Sequence, residues 1–141
     1  MIHFELVSTT GTKFDDDAYE ILIPAQGGTI AIFEDHMPLI SAAQPGVISI
    51  RKKAGDKDDD MQSYAVNGGV MEVDGKSLRF IADDITAPDD ISEKEAEAAL
   101  GRAEELIRNA GTQTALGEAQ RMLHHSRAQL NVSRLKRRRY N

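Results

Sequence analysis

Residues able to support chemistry are few and scattered in this chain of 141 residues. The chain has four histidines and no cysteine, which excludes disulfides, thiolate metal sites and a cysteine nucleophile. His124 and His125 are adjacent, and on a helix their rings point about 100° apart, so they cannot chelate one metal ion together. Residues 52–60 are rich in aspartate but lack the closing Glu that a calcium loop of the EF-hand kind requires. We therefore predict no metal site.

His36 lies in a polar segment with Glu34 and Asp35. No nucleophile or partner base stands near it in a recognisable catalytic motif. The chain also lacks the Gly-rich loop that cradles phosphates in nucleotide hydrolases. We expect no catalytic residues, and the scattered histidines argue against a small metal hydrolase built on a β-sandwich.

The densest charge is a basic run at residues 134–139, RLKRRR. Such a run can bind an acidic protein surface, acidic lipid or RNA. The alternative is a charged C-terminal end of a helix, where cations interact favourably with the macrodipole. Nucleic acid is less favoured because the net charge is −6 and no aromatic residues interleave the basic ones. A free-standing adaptor that binds acidic proteins or RNA through this run is our alternative function.

Charge divides the chain into two parts. Residues 1–90 contain 17 acidic residues and 7 Lys or Arg, whereas residues 91–141 contain 6 acidic residues and 10 Lys or Arg. Opposite signs indicate two units with different surfaces and different partners. No stretch approaches the roughly 18 consecutive apolar residues of a membrane span. Membrane association is therefore expected only through a partner complex.

Before Pro88, short apolar segments recur between turn residues at intervals of about eight to twelve, which is typical of an all-β sandwich or barrel. Because Gly and Asn tolerate the backbone of tight turns, we predict turns at Pro45-Gly46, at residues 67–69 (Asn-Gly-Gly) and at Asp74-Gly75. The predicted strands between the turn signals are 2–6, 19–23, 29–33, 47–51, 64–66, 70–73 and 78–82.

After Pro88 the apolar period becomes helical. Ser92 and Glu95 form a capping box, and Gly111 ends the first helix. The short connection to a second helix predicts an antiparallel hairpin. The predicted apolar stripes are Ala96, Ala99, Leu100, Ala103, Leu106, Ile107 and Ala110 on the first helix, and Leu116, Ala119, Leu123, Ser126 and Leu130 on the second.

The predicted fold is α+β: an N-terminal all-β sandwich, residues 1–87, followed by a C-terminal antiparallel two-helix hairpin, residues 88–141. The hairpin stripes are rich in Ala and bury little apolar area per turn, at about 25 cal/mol per Å². We therefore expect the hairpin to be marginally stable by itself and able to detach from the sandwich.

Three segments carry a resemblance to a known family. Residues 28–50, GTIAIFEDHMPLISAAQPGVISI, contain Gly28, His36, Pro38, Leu39, Pro45 and Gly46 at the family's spacing. Residues 64–84 contain a Gly-Gly pair and end on Ala-Asp, and residues 91–107 form an acidic cap and an Ala-rich helix. Jointly, and in this order, these segments resemble the epsilon subunits of bacterial F-type ATP synthases over essentially the whole chain.

The resemblance implies a non-catalytic rotor and regulatory subunit. In such a subunit the sandwich binds the gamma subunit and the ring of c subunits, and the complex couples proton translocation to ATP synthesis. The helical hairpin inhibits ATP hydrolysis when it extends into the catalytic head of alpha and beta subunits. The expected location is the cytoplasmic face of the bacterial cell membrane, peripheral and held there through the complex.

The resemblance also implies site residues. The gamma and c-ring contact falls on Glu34, Asp35, His36, Met37, Pro38 and Leu39, for which the alternative is a rigid local turn set by Pro38. The candidate inhibitory contacts with the catalytic head are Arg121, Arg127, Arg134 and Arg137.

Some epsilon subunits bind ATP in the folded hairpin through an aliphatic residue, Asp, two other residues, Arg and Ala. Leu123, Arg127 and Ala128 match that pattern here, and Arg134 is a further candidate phosphate donor. His124 stands where the Asp belongs, which removes a hydrogen-bond acceptor for the nucleotide. We expect weak ATP binding or none, and no other cofactor.

Overall fold

Eight strands precede two helices in the described part of the chain. The computed structural model describes the backbone of residues 1–140 and the side chains of residues 1–137. Two 3-10 turns, Asp58–Asp60 and Pro88–Asp90, lie before β6 and before α1. The elements are β1 Ile2–Ser8, β2 Gly11–Ala18, β3 Glu20–Ala25, β4 Gly28–Ile32, β5 Leu39–Arg51, β6 Gln62–Val73, β7 Ser77–Ala82, β8 Ile85–Thr86, α1 Glu93–Arg108 and α2 Gln113–Tyr140.

The strands follow the order β2-β1-β7-β6-β5-β3-β4, and β8 pairs with β6. The β1–β7 pair is parallel and every other strand pair is antiparallel. The long strands β5 and β6 stay paired from Leu39 opposite Val73 to Ile50 opposite Gln62. They therefore run through both layers of a β-sandwich, and the predicted fold class is confirmed.

The core between the layers is aliphatic with two phenylalanines. Alternate residues of β1 and β7 enter it, which matches the period of two expected of half-buried strands. The largest side chains with no exposed surface are Phe4, Phe80, Ile2, Leu6, Ile21, Ile23, Ile32, Ile48, Ile50, Met71, Leu78 and Val66.

The predicted turn at residues 67–69 is wrong, because these residues lie inside β6. Gly68 and Gly69 have φ of +80° and +155°. A Cβ on Gly69 would lie 2.6 Å from Cε1 of Phe80. On either side of the pair, both Val66 and Met71 face the core, so the inward parity of the strand changes here. The glycines serve a bend that carries β6 from one layer to the other.

The predicted turn at Pro45-Gly46 is wrong for the same reason. Both residues lie within β5, directly opposite the bend of β6, where Pro45 pairs with Asn67. A Cβ on Gly46 would lie 2.8 Å from Cβ of Pro24, so glycine is required there by close packing. The turn predicted at Asp74-Gly75 does connect β6 to β7, with Gly75 at φ +96°.

The helical part begins as predicted. Ser92 Oγ accepts a hydrogen bond from the Glu95 amide at 3.3 Å, which caps α1. The connection between α1 and α2 is short, and the two helices pack against each other as an antiparallel pair. Among the described residues, neither α1 nor α2 contains an apolar stretch of the length that a membrane-spanning helix needs.

Candidate interaction surfaces

The loop at residues 33–38 joins β4 to β5 and packs on the β6–β7 turn. Asp35 has a left-handed backbone with φ of 60°, and its amide donates to the Gly75 carbonyl at 2.8 Å. His36 N–H donates to the Phe33 carbonyl at 3.2 Å. His36 Nδ1 lies 2.8 Å from the Met37 carbonyl, so Nδ1 carries the proton and donates. The backbone therefore holds this loop in one shape.

Acidic side chains of the loop are paired with cations on neighbouring elements. Lys76 Nζ lies 2.8 Å from Asp35 Oδ1 and 3.9 Å from Glu34 Oε1. The hydrogen bond from Lys76 holds the pKa of Asp35 below its usual value and raises the pKa of Lys76. These groups are exposed, so the pairs add little stability. They orient the loop on the turn.

An exposed apolar surface adjoins this loop. We call it the outer apolar face, and it consists of Met37 (73% exposed), Ile40 (74%), Val70 (51%) and Ile81 (54%). Val70 on β6 pairs with Ile81 on β7, and Ile40 on β5 lies diagonal to Val70 on the same side of the sheet. Exposed apolar patches of this kind mark interaction surfaces.

Sequence reasoning included Met37 and missed the other three residues of the outer apolar face. The alternation of inward and outward residues along β6 and β7 could have identified them. Because Met71 and Val73 face the core, Val70 and Glu72 had to face outward, and a valine on an outward position is a departure from the polar pattern of a one-sided sheet. The same argument applies to Ile81 between Phe80 and Ala82.

The second helix, α2, packs on the strands and on α1 at once. Ala128 and Val132 are buried against Ala65, with Val47 and Ile91 beside them. The predicted stripe residues Ala119, Ser126 and Leu130 are also buried, and helical geometry puts them on the opposite side of α2, toward α1. Sequence reasoning therefore found the α1 side of α2 and missed the sandwich side.

Two polar contacts accompany the apolar ones between α2 and the sandwich. Gln129 Nε2 donates to Thr86 Oγ1 at 3.3 Å. His125 Nε2 lies 3.3 Å from Asp84 Oδ2, and the His125 side chain is only 17% exposed. Its Nδ1 is buried without a hydrogen-bond partner among the described residues. The docked hairpin thus rests on small apolar side chains, the Gln129–Thr86 hydrogen bond and the close approach of His125 to the Asp84 carboxylate.

The candidate nucleotide residues take different positions around α2. Leu123 is half-buried and Arg127 is exposed, while Ala128 is buried against Ala65. A cavity of about 240 Å³ lies between α2, residues 87–89 and the β5–β6 connection. None of Leu123, Arg127, Ala128 and Arg134 lines it. Their role in nucleotide binding stays a prediction.

The candidate inhibitory arginines fall into two pairs. Arg121 and Arg127 are exposed and form no ion pair with any side chain of residues 1–137. Arg134 Nε lies 3.9 Å from Glu93 Oε1, and Arg137 Nη1 lies 3.2 Å from Glu93 Oε2. Two other residues of the basic run, Arg138 and Arg139, have side chains outside the described residues.

Two family models match consecutive parts of the chain, which together span residues 1–134. The model of the ATP synthase delta/epsilon chain beta-sandwich domain matches residues 1–88, and the model of the delta/epsilon chain long alpha-helix domain matches residues 89–134. The chain belongs to the ATP synthase delta/epsilon chain family. The two-part architecture and the order of its parts are those of this family.

Relatives in the delta/epsilon family include two bacterial proteins named ATP synthase epsilon chain. The protein of Polynucleobacter necessarius is 33% identical over 129 residues, covering 92% of this chain and 91% of that protein. The protein of Bordetella parapertussis is 33% identical over 109 residues, covering 77% of this chain and 75% of that protein. Both alignments extend over most of each chain.

Solved structures share the delta/epsilon fold at lower identity. A chain in the Euglena gracilis mitochondrial ATP synthase, in its OSCP/F1/c-ring assembly, has a TM-score of 0.75 and 15% identity, over 90% of this chain and 78% of that chain. A chain in the central stalk and c-ring of the Tetrahymena thermophila mitochondrial ATP synthase has a TM-score of 0.61 and 13% identity, over 94% and 96%. At these identities the likeness concerns the fold.

Proposed function

We propose that this chain is a non-catalytic rotor subunit whose sandwich is anchored on gamma and the c-ring and whose hairpin regulates ATP hydrolysis. Bacterial relatives carry the name ATP synthase epsilon chain, and chains of similar fold occur in F1/c-ring and central-stalk assemblies. Catalysis then belongs to the alpha and beta subunits of the catalytic head. The chain reaches the cytoplasmic face of the membrane through the complex.

The observation that carries the anchoring role is the outer apolar face beside the 33–38 loop. Three of its residues are each more than half exposed, namely Ile40, Val70 and Ile81. Contact between these apolar side chains and water is unfavourable in the isolated chain. A partner that covers them removes this contact, so their burial favours binding. The neighbouring loop adds carboxylates whose positions are set by Lys76 and the Gly75 carbonyl. An apolar centre with a polar rim is the usual anatomy of a protein interface.

The regulatory role is supported by how lightly α2 rests on the sandwich. Its buried contacts are made by Ala128 and Val132, and small side chains contribute little hydrophobic free energy on burial. A free-energy gap of a few kcal/mol leaves a minor undocked population that a partner can capture. Arg121 and Arg127 are exposed and available to an acidic partner, in keeping with an inhibitory contact.

Nucleotide is not part of this proposal as a required ligand. Arg127 and Arg134 both lie on exposed positions and can contact phosphate, but His124 occupies the position of the motif carboxylate. Because a buried nucleotide donor would be left unpaired there, we expect ATP to bind weakly or not at all.

The experiment that tests anchoring is a binding titration with the purified cognate gamma subunit. The full chain and a version ending at residue 87 are expected to bind gamma with affinities within about threefold of each other, because the outer apolar face lies entirely within residues 37–81. Circular dichroism checks that the shorter version keeps its strands. Absence of gamma binding by the full chain contradicts the proposed function.

A further inference from the structure

The basic end of α2 is bound by acidic residues of its own chain. The Glu93 carboxylate forms ion pairs with two arginines: Arg137 Nη1 lies 3.2 Å from Oε2, and Arg134 Nε lies 3.9 Å from Oε1. Lys136 Nζ pairs with the Asp89 carboxylate. We call Asp89 and Glu93 the acidic clasp. Three basic residues of α2 therefore meet two carboxylates at the start of the helical hairpin.

The antiparallel arrangement explains this juxtaposition. Asp89 lies in the 3-10 turn Pro88–Asp90, and Glu93 is the first residue of α1. The last turns of α2 return to this point because the hairpin brings the end of one helix beside the start of the other. Glu93 is additionally favoured there by the positive end of the α1 macrodipole. The clasp exists only when the hairpin is folded.

We propose that the acidic clasp is an intramolecular competitor that withholds Arg134 and Arg137 from an acidic partner surface while the hairpin is folded. This inference rests on the proposed inhibitory role of the hairpin. In the folded hairpin the Arg137 Nη1 that donates to Glu93, and the Arg134 Nε that faces it, are turned toward this carboxylate and away from a partner. The clasp thereby sets the resting balance between the folded and the inhibitory hairpin.

Partial exposure keeps this competition reversible. The side chain of Glu93 is 30% exposed, and those of Arg134 and Arg137 are 52% and 62% exposed. Ion pairs in such positions contribute modestly and are screened by salt. The clasp consequently biases the hairpin without locking it, as a regulatory balance requires.

The test compares two double variants with the same change in charge. Asp89→Asn with Glu93→Gln removes the clasp, and Asp90→Asn with Glu97→Gln removes two neighbouring carboxylates that form no ion pair among residues 1–137. Because the chain has no cysteine, cysteines introduced at the exposed residues Ala98 on α1 and Asn131 on α2 report, by the distance between two attached labels, whether the two helices lie side by side. The second readout is inhibition of ATP hydrolysis by a cognate catalytic head with gamma.

Removing the clasp is expected to raise the ratio of open to folded hairpin, and to lower the half-inhibitory concentration, by about three- to tenfold. The control variant is expected to behave as the unaltered chain, and about 1 M salt should abolish the difference. An unchanged clasp variant, or an equal shift in the control, overturns the inference. If no version inhibits hydrolysis, the proposed inhibitory role fails, and the label distances alone decide whether the clasp holds the hairpin.

Discussion

Replacing Val132 with Asp is expected to release the hairpin from the sandwich and to make the chain a stronger inhibitor of ATP hydrolysis. Val132 has no exposed surface and packs on Ala65 beside Ala128. A carboxylate there loses its water without gaining a partner, which costs the docked state about 3 kcal/mol or more. That free energy corresponds to a rise of roughly 100-fold in the undocked population.

Hydrogen exchange of the full chain measures this release. The amides of α2 in Val132→Asp should exchange faster, while those of β1 and β7, in the sandwich core, keep their protection. Asn131→Asp is the matched control, because it adds the same charge at the neighbouring, exposed position. Unaltered α2 protection in Val132→Asp would show that the hairpin does not depend on this contact.

Replacing Ile81 with Glu is expected to weaken gamma binding by at least about 30-fold while leaving the fold intact. Ile81 is 54% exposed on β7, next to Val70, so the free chain tolerates a charge there. In the complex the carboxylate would be desolvated within the outer apolar face, where an unpaired charge typically costs about 2 kcal/mol or more.

The measurement is a gamma titration accompanied by thermal unfolding. Thr29→Glu adds the same charge at an exposed position of β4. In the strand order β4 lies beyond β3 and does not pair with β5, β6 or β7, the strands of the outer apolar face. This variant should bind gamma normally. If the melting temperature of Ile81→Glu fell sharply, the loss of binding would be explained by misfolding. Normal gamma affinity in a folded Ile81→Glu chain would remove the outer apolar face from the interface.

Strands with a clear period of two could be predicted from the sequence because one face is buried. Ile2, Phe4 and Leu6 all enter the core. By contrast β2, Gly11–Ala18, was missed. It is an edge strand that buries only Ala18 completely, and its aspartates carry no apolar alternation. Charged edge strands protect a sheet from pairing with other chains, and the same composition hides them from a periodicity argument.

The two wrong turns have one physical cause. Glycine and Asn-Gly are expected where the chain reverses, but Gly68 and Gly69 permit a long strand to bend between layers without reversing. Distinguishing the two uses requires knowing what lies nearby. Here Phe80 lies too close to Gly69 for any Cβ, and that proximity comes from pairing between β6 and β7, which a local pattern cannot supply.

The candidate surfaces were only partly predictable. The 33–38 loop was located from its residue types and from the family resemblance, and the structure adds the contacts that orient it through Lys76 and Gly75. On α2, the sandwich side consists of His125, Ala128, Gln129 and Val132. Two of these residues are polar and the other two are small, so they form no continuous apolar stripe that a periodicity argument could detect.

ATP hydrolysis by a cognate catalytic head that contains gamma but lacks this subunit tests the central claim most directly. The head is titrated with the full chain and with the version ending at residue 87, and association with gamma is measured in the same samples. The account predicts that both versions associate and that only the full chain inhibits. Equal inhibition by the two versions would contradict the regulatory role of the hairpin, and failure of both to associate would contradict the anchoring role of the sandwich.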